Sequence, residues 1–213
     1  MPLAHHIVLT AYGFWLPNDP RGSGSTSVGS WNLFQHGGPT RLDDLSVSVA
    51  HQPHDHQKRL AAKQSLQHPP VLWTGEQALA IAHSFRETAA ASDYQFHAFA
   101  ILKDHIHLIL ADDELAVSRR TRSTCPAPTT PRPPRSPHRI AGHLRSLATR
   151  ALREKHAWPA TRPVWGKRAW VTFLDTPEAV LAAIDYTNAN PEKSGLPRQH
   201  WSFITPFIID NAR

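Results

Sequence analysis

"KDHIHLIL", residues 103–110, sets two histidines one residue apart inside an apolar run that opens with a charged pair. On an extended chain residues i and i+2 project to one face, roughly 6.6 Å apart. His105 and His107 then stand side by side while Ile106, Leu108 and Leu110 face the other way. The preceding "YQFHAFAIL" (94–102) has the same β-forming character, and Lys103-Asp104 between the two runs reads as a tight antiparallel connection. Two neutral imidazoles fixed on a strand can chelate one divalent cation. With 15 His in 213 residues, a His-x-His pair is expected about once by chance, so context has to decide. The other pair, His54 and His56 in "PHDHQK", lies beside Pro53 in polar sequence with no strand to fix the angle between the rings.

Working outward, "HHIVLTAYGFWL" (5–16) is β-branched and aromatic and stops at Pro17, which predicts a strand. Residues 17–54 are crowded with Gly, Pro, Ser, Asn and Asp and read as an irregular insertion. A short helix is expected over 55–66 and a longer one over 75–93, where good helix formers and alanines dominate. From 112 to 139 the chain carries six prolines between Pro126 and Pro137 and six arginines. That composition suits neither helix nor central strand, and predicts an extended, basic tether. Beyond it, Ile140, Leu144, Leu147, Ala151 and Leu152 fall on one face of a helix over 140–156, with Arg145, Arg150, Arg153 and Lys155 elsewhere. "AWVTFL" (169–174) reads as a strand. "TPEAVLAAIDYTNANP" (176–191) opens with Thr176 as N-cap and Pro177 in the first turn, and is expected to stop near Asn190-Pro191. This alternation predicts one α+β domain over 1–213 with a mainly antiparallel sheet.

The net charge of +6 favours a polyanionic partner, nucleic acid first. A single cysteine, Cys125, excludes an internal disulfide framework and a cysteine zinc site. No run is long and apolar enough to cross a bilayer, and "MPLAHHIVLT" lacks the layout of a secretory leader. The expectation is a cytoplasmic protein, nucleoid-associated when bound to DNA, with no membrane partner.

Histidine pairs alone seldom make a site, and "DYTNANP" (185–191) supplies further groups. Tyr186 and Asn190, spaced i, i+4, stack a phenol and a carboxamide on one helical face. Beside a cation that polarises a phosphate oxygen, a phenol can attack phosphorus and become linked to the cleaved strand. Two imidazoles with hard oxygen ligands suit Mg²⁺ or Mn²⁺. Each residue also has a plainer role open to it. His105 and His107 can be half-buried strand residues, Tyr186 a core plug, and Asn190 a helix stop. Asp104 is either a turn residue or the group that orients an imidazole.

"DHIHLIL" followed by "DYTNANP" resembles the single-tyrosine HUH transposases of the insertion-sequence-200-like group, in particular the REP-associated tyrosine transposases. "AYGFWLPNDPRGS" (11–23) is similar to the "YGTWLPGDERG" opening of one branch, and residues 164–197 to its closing strand, tyrosine helix and Asn-Pro stop. The resemblance covers about 1–111 and 140–205. It implies a ferredoxin-like α+β fold, an antiparallel sheet with helices on one face plus loop insertions. It also implies cleavage and rejoining of single-stranded or hairpin DNA through a 5′-phosphotyrosine, by a monomer or homodimer. Carried over by position, the metal pair falls on His105 and His107, the nucleophile on Tyr186, and a helical polar ligand on Asn190, where other members often have Gln. Arg145, Arg150, Arg153, Lys167 and Arg168 are the candidate DNA contacts, with Trp165 and Trp170 flanking the last two. The stretch 112–139 departs from the family pattern of a short connection. That departure leaves open a second function, an inactive relative that only binds nucleic acid, and the basic charge argues against a third, a hydrolase of small phosphoesters.

Overall fold

The computed structural model describes residues 2–42, 49, 52–92, 94–112 and 136–208. Of the tether expected over 112–139, residues 113–135 lie outside the described residues. The chain forms two compact units: Met1–Leu9, Trp73–Ala160 and Arg168–Arg213 build the first, and Thr10–Leu72 with Thr161–Lys167 the second.

The elements are β1 (Ala4–Thr10), α1 (Trp31–Phe34), α2 (His56–Gln64), α3 (Gly75–Ala91), β2 (Tyr94–Ile101), β3 (His105–Asp112), α4 (Pro137–His156), β4 (Trp170–Leu174) and α5 (Pro177–Lys193). Four strands make one sheet in the order β2-β3-β1-β4. The pairs β2–β3 and β1–β4 are antiparallel. The chain passes from β1 to β2 through α1, α2 and α3, and α4 lies between β3 and β4; each connection passes over one strand position, which is the split βαβ arrangement of ferredoxin-like folds. The α+β class and antiparallel sheet expected from the sequence are therefore present.

Alternation along the strands sorts the side chains. The register Ile106↔Ile101, Leu108↔Phe99 and Leu110↔Phe96 puts these six on one face. Phe85 of α3 packs on Phe96 and Phe99 at ring-centroid distances of 6.4 and 5.6 Å. His143 of α4 meets Tyr94, which lies on the same face. A β-bulge between Phe96 and Ala98 restores the alternation, so that Ala98 and Ala100 pair with Ile109 and His107 on the other face. That second face is covered too. Val180, Ala179, Ala183 and Ile184 of α5 pack on Ala4, Ala98, Ile109, Ala111 and Leu174. The helices are thus divided between the faces rather than gathered on one, because both faces of β2 and β3 carry apolar side chains that need cover.

Helix ends follow their local chemistry. Thr74 and Gln77 form a reciprocal capping box at α3, and Thr176 Oγ1 accepts from Ala179 N at α5. Pro137 lets α4 begin before the expected residue 140, since a first-turn proline loses no helical hydrogen bond. The stop expected near Asn190-Pro191 falls two residues later: Pro191 sits inside the last turn and α5 ends at Lys193. There Gly195, at φ +71°, allows Leu196 N to donate to Pro191 O and Gly195 N to Glu192 O, a Schellman closure.

In the second unit the "NDPRG" stretch folds on itself. Asp19 accepts from Nε and Nη2 of Arg21 at 2.8 Å each, and the guanidinium lies 3.8 Å over the Trp15 ring. Trp15 Nε1 donates to Gly22 O. The residues expected to form an irregular insertion, 17–54, contribute α1 and Leu33, which packs with Leu16 and Ala62.

Leu108, buried on the α3 face, is the test of which face carries stability. Leu108→Ala is expected to lower the unfolding free energy by about 2–5 kcal/mol in urea titration, while Leu79→Ala, 51 % exposed, stays within about 0.5 kcal/mol of the parent.

Candidate active site on the histidine face

Leu102 N donates to His105 O, which closes the hairpin over Lys103 and Asp104 and starts β3 at His105. His105 and His107 therefore share a face, as the alternation predicts, with ring centroids 4.9 Å apart and planes at 75°. Asp104 serves both roles left open by the sequence. It occupies the turn, and its Oδ1 accepts from His105 Nδ1 at 2.7 Å. An acceptor-only carboxylate holds a proton of His105 on Nδ1.

His107 has a different partner, which sequence spacing did not reveal. His6 on β1, 101 positions away in sequence, places its Nε2 2.9 Å from His107 Nδ1. Only the sheet order, with β1 beside β3, brings the two together. Nε2 of His107 has no hydrogen-bond partner among the described residues and is not sealed inside, so it is open to a ligand. Burial lowers the pKa of His6 to about 4. Burial, with smaller contributions from the neighbouring His105 and His6, lowers that of His107 to about 2. Both rings are neutral at pH 7, the state needed of a metal ligand.

The α5 helix brings Tyr186 onto the same cluster. Its ring lies 5.5 Å from that of His107 at 80° and 6.0 Å from that of His6 at 66°. Tyr186 is 44 % exposed, and its hydroxyl has no hydrogen-bond partner among the described residues, so it is not a core plug. Lys193 Nζ sits 5.5 Å from the centre of the phenol ring, a cation the sequence did not single out. Asn190 follows one turn after Tyr186 on the same helical face. Its side chain is buried, and Nδ2 lacks a partner. From Tyr186 to Asn190 the helix rises about 6 Å, close to the step of roughly 6.6 Å from His107 to His105.

Among the described residues no three His, Cys, Asp or Glu side chains are grouped to hold a metal ion. A cation at His105 and His107 would therefore take its other ligands from an amide, water or substrate. The orphaned carboxamide of Asn190 fits that need, since an amide flip exchanges its nitrogen for an oxygen of nearly the same shape. His6 does not supply a third ligand through Nε2, which is engaged by His107.

The arginines of α4 are not brought to this face. Arg145, Arg150 and Arg153 lie on α4, in the layer with α3 that covers the opposite side of the sheet. Arg145 is partly buried, which lowers its pKa, and Arg153 Nη2 donates to Ala160 O. Lys167 belongs to the second unit, and Arg168 opens the last segment of the first. The rival pair also forms a contact: the His54 and His56 rings are 4.1 Å apart at the start of α2, and His54 Nδ1 donates to Gln52 O. Trp201 packs on Phe99, with ring centroids 5.2 Å apart.

No protein-family model matches the sequence. No curated protein matches it either. Among solved structures, the chain is similar to that of a REP-associated tyrosine transposase bound to a REP hairpin, at 11% identity and a TM-score of 0.43, over 95% of this chain and 76% of that chain. Among the described residues no helix is long and apolar enough to cross a membrane.

Neutral burial of two imidazoles gives a signed pH dependence. Unfolding restores an ordinary pKa near 6.5, so below that pH the unfolded chain binds protons that the folded chain refuses. Their contribution is complete above pH 6.5 and is lost as pH falls, toward about 4 for His6 and about 2 for His107. Each group contributes a slope of about 1.4 kcal/mol per pH unit within its window. Between pH 6.5 and 5.0, unfolding free energies measured in urea with EDTA present should fall less steeply for His107→Phe than for the parent, by roughly 2 kcal/mol over the interval.

Proposed function

We propose that this chain cleaves and rejoins single-stranded DNA, with Tyr186 as nucleophile and His105, His107 and Asn190 as the residues that would hold a divalent cation, Mg²⁺ or Mn²⁺. The observation that carries this is the half-exposed phenol ring packed 5.5 Å from the ring of His107, on the face where two imidazoles keep their Nδ1 atoms occupied. The ordered motifs "DHIHLIL" and "DYTNANP" support the same reading.

In this scheme the phosphodiester lies across the open Nε2 of His107 and the Tyr186 hydroxyl. A bound Mg²⁺ or Mn²⁺ would polarise the scissile phosphate and stabilise the departing oxygen. Tyr186 Oη forms a bond to phosphorus, the P–O3′ bond breaks, the phenol loses its proton and the 3′-oxygen gains one. The 5′ side is left on the tyrosine and the 3′ side leaves as a hydroxyl. A second 3′-hydroxyl reverses the step without ATP, because the phosphodiester is exchanged rather than hydrolysed. Lys193, beside the phenol, would meet a phosphate of the same strand. The partner is single-stranded or hairpin DNA.

Incubation with Mn²⁺ and an end-labelled hairpin oligonucleotide should yield a covalent protein–DNA adduct on a denaturing gel. Tyr186→Phe should abolish it, and an undiminished adduct in that variant would remove Tyr186 from the role. Salt-sensitive DNA binding with no adduct under any divalent metal would instead leave a non-catalytic nucleic-acid-binding protein. Lys193→Gln is expected to reduce the slope of log affinity against log salt for single-stranded DNA by about 0.7, as measured by fluorescence anisotropy. Arg150→Gln, on the opposite layer, should leave it unchanged if DNA is confined to the histidine face.

A further inference from the structure

The two histidines of "DHIHLIL" are held by unlike partners, and the difference identifies a residue whose role depends on the metal reading above. Asp104 can only accept, so its 2.7 Å contact settles where His105 keeps its proton. The 2.9 Å contact between His6 Nε2 and His107 Nδ1 joins two groups that can each donate or accept. One arrangement puts the proton on His6 Nε2 and leaves His107 with Nε2–H, pointing a hydrogen at the open site. The other puts it on His107 Nδ1 and leaves a lone pair there.

The metal reading requires the second, and the surroundings allow it. His6 Nδ1, which then carries the other hydrogen, is not among the buried polar atoms left without a partner, so that hydrogen can meet water. His107 Nε2 is likewise not sealed. The result gives His107 the tautomer that the Asp104 contact sets for His105, with the hydrogen on Nδ1. We propose that His6 is a positioning residue that accepts the Nδ1–H of His107 and so directs the Nε2 lone pair of His107 toward the cation, as Asp104 does for His105.

The decisive measurement is Mn²⁺ binding to the full chain without DNA, by electron paramagnetic resonance of free Mn²⁺, beside the tautomer of His107 in metal-free ¹⁵N-histidine-labelled protein. His6→Phe keeps a ring of similar size and removes the acceptor, and His6→Gln returns a carbonyl acceptor. His6→Phe should weaken Mn²⁺ binding by about 10–100-fold, and His6→Gln should recover most of the loss. A merely structural ring would give the reverse order, with phenylalanine the better replacement. In the parent, His107 should be the Nδ1–H tautomer, a readout that does not depend on any variant folding. An Nε2–H tautomer there, or parent-like Mn²⁺ affinity in His6→Phe while His107→Ala is weakened, overturns the role of His6 and leaves the metal pair standing. Parent-like affinity in both His105→Ala and His107→Ala overturns the metal pair itself, and the role of His6 with it.

Discussion

The two-residue period of β3 is the constraint on which the rest of the site depends. Ile106, Leu108 and Leu110 are fully buried on one face, each a contribution of roughly 1.5–3 kcal/mol relative to exposure. A slip of one residue would turn all three toward α5 and the histidines toward α3. The apolar face therefore locks the register, and the register locks the direction of His105 and His107. The site's geometry is a by-product of core packing on its reverse side. The bulge between Phe96 and Ala98 serves the same end, since it lets Phe96 and Phe99 both meet Phe85 while Ala98 and Ala100 leave room under α5.

On the histidine face, side-chain size grades the surface from packed to open. Ala98, Ile109 and Ala111 meet the first turns of α5 around Val180, Ala183 and Ile184. Further along the same strand the small apolar residues give way to imidazoles, and along the helix to Tyr186. Burial keeps His6 and His107 uncharged, while the Asp104 carboxylate is held against His105. Beside the phenol stands the Lys193 ammonium, rather than a field of arginines. The arginines of α4 lie behind the sheet. Their clustering in sequence with the histidine strand did not carry over to space, because β3 and α4 occupy different layers.

Much of this was legible in the chain itself. The strand at 105–112, its partner at 94–101 and the tight connection between them follow from alternation and a two-residue turn, both local properties. The helix starting at Pro177 follows from Thr176 and the proline, and the common face of Tyr186 and Asn190 from helical spacing. Helix ends were less legible. Pro191 reads as a stop, yet the last turn tolerates it because Gly195 closes the end by backbone hydrogen bonds. The division of helices between the two faces was missed, since the alanines that require cover on the histidine face carry little hydrophobic signal.

His6 marks the boundary between the two kinds of knowledge. Sequence alone determined which residues can share a face, because pleat and helical pitch act over two to four positions. Which faces meet was decided by the tertiary structure. The order β2-β3-β1-β4 lays a strand from the start of the chain against one from its middle, so His6 reaches His107 across 101 positions. No local periodicity encodes that contact; it follows from the burial of Ile7 and Leu9 on the opposite side of β1, which orients His6 toward the site.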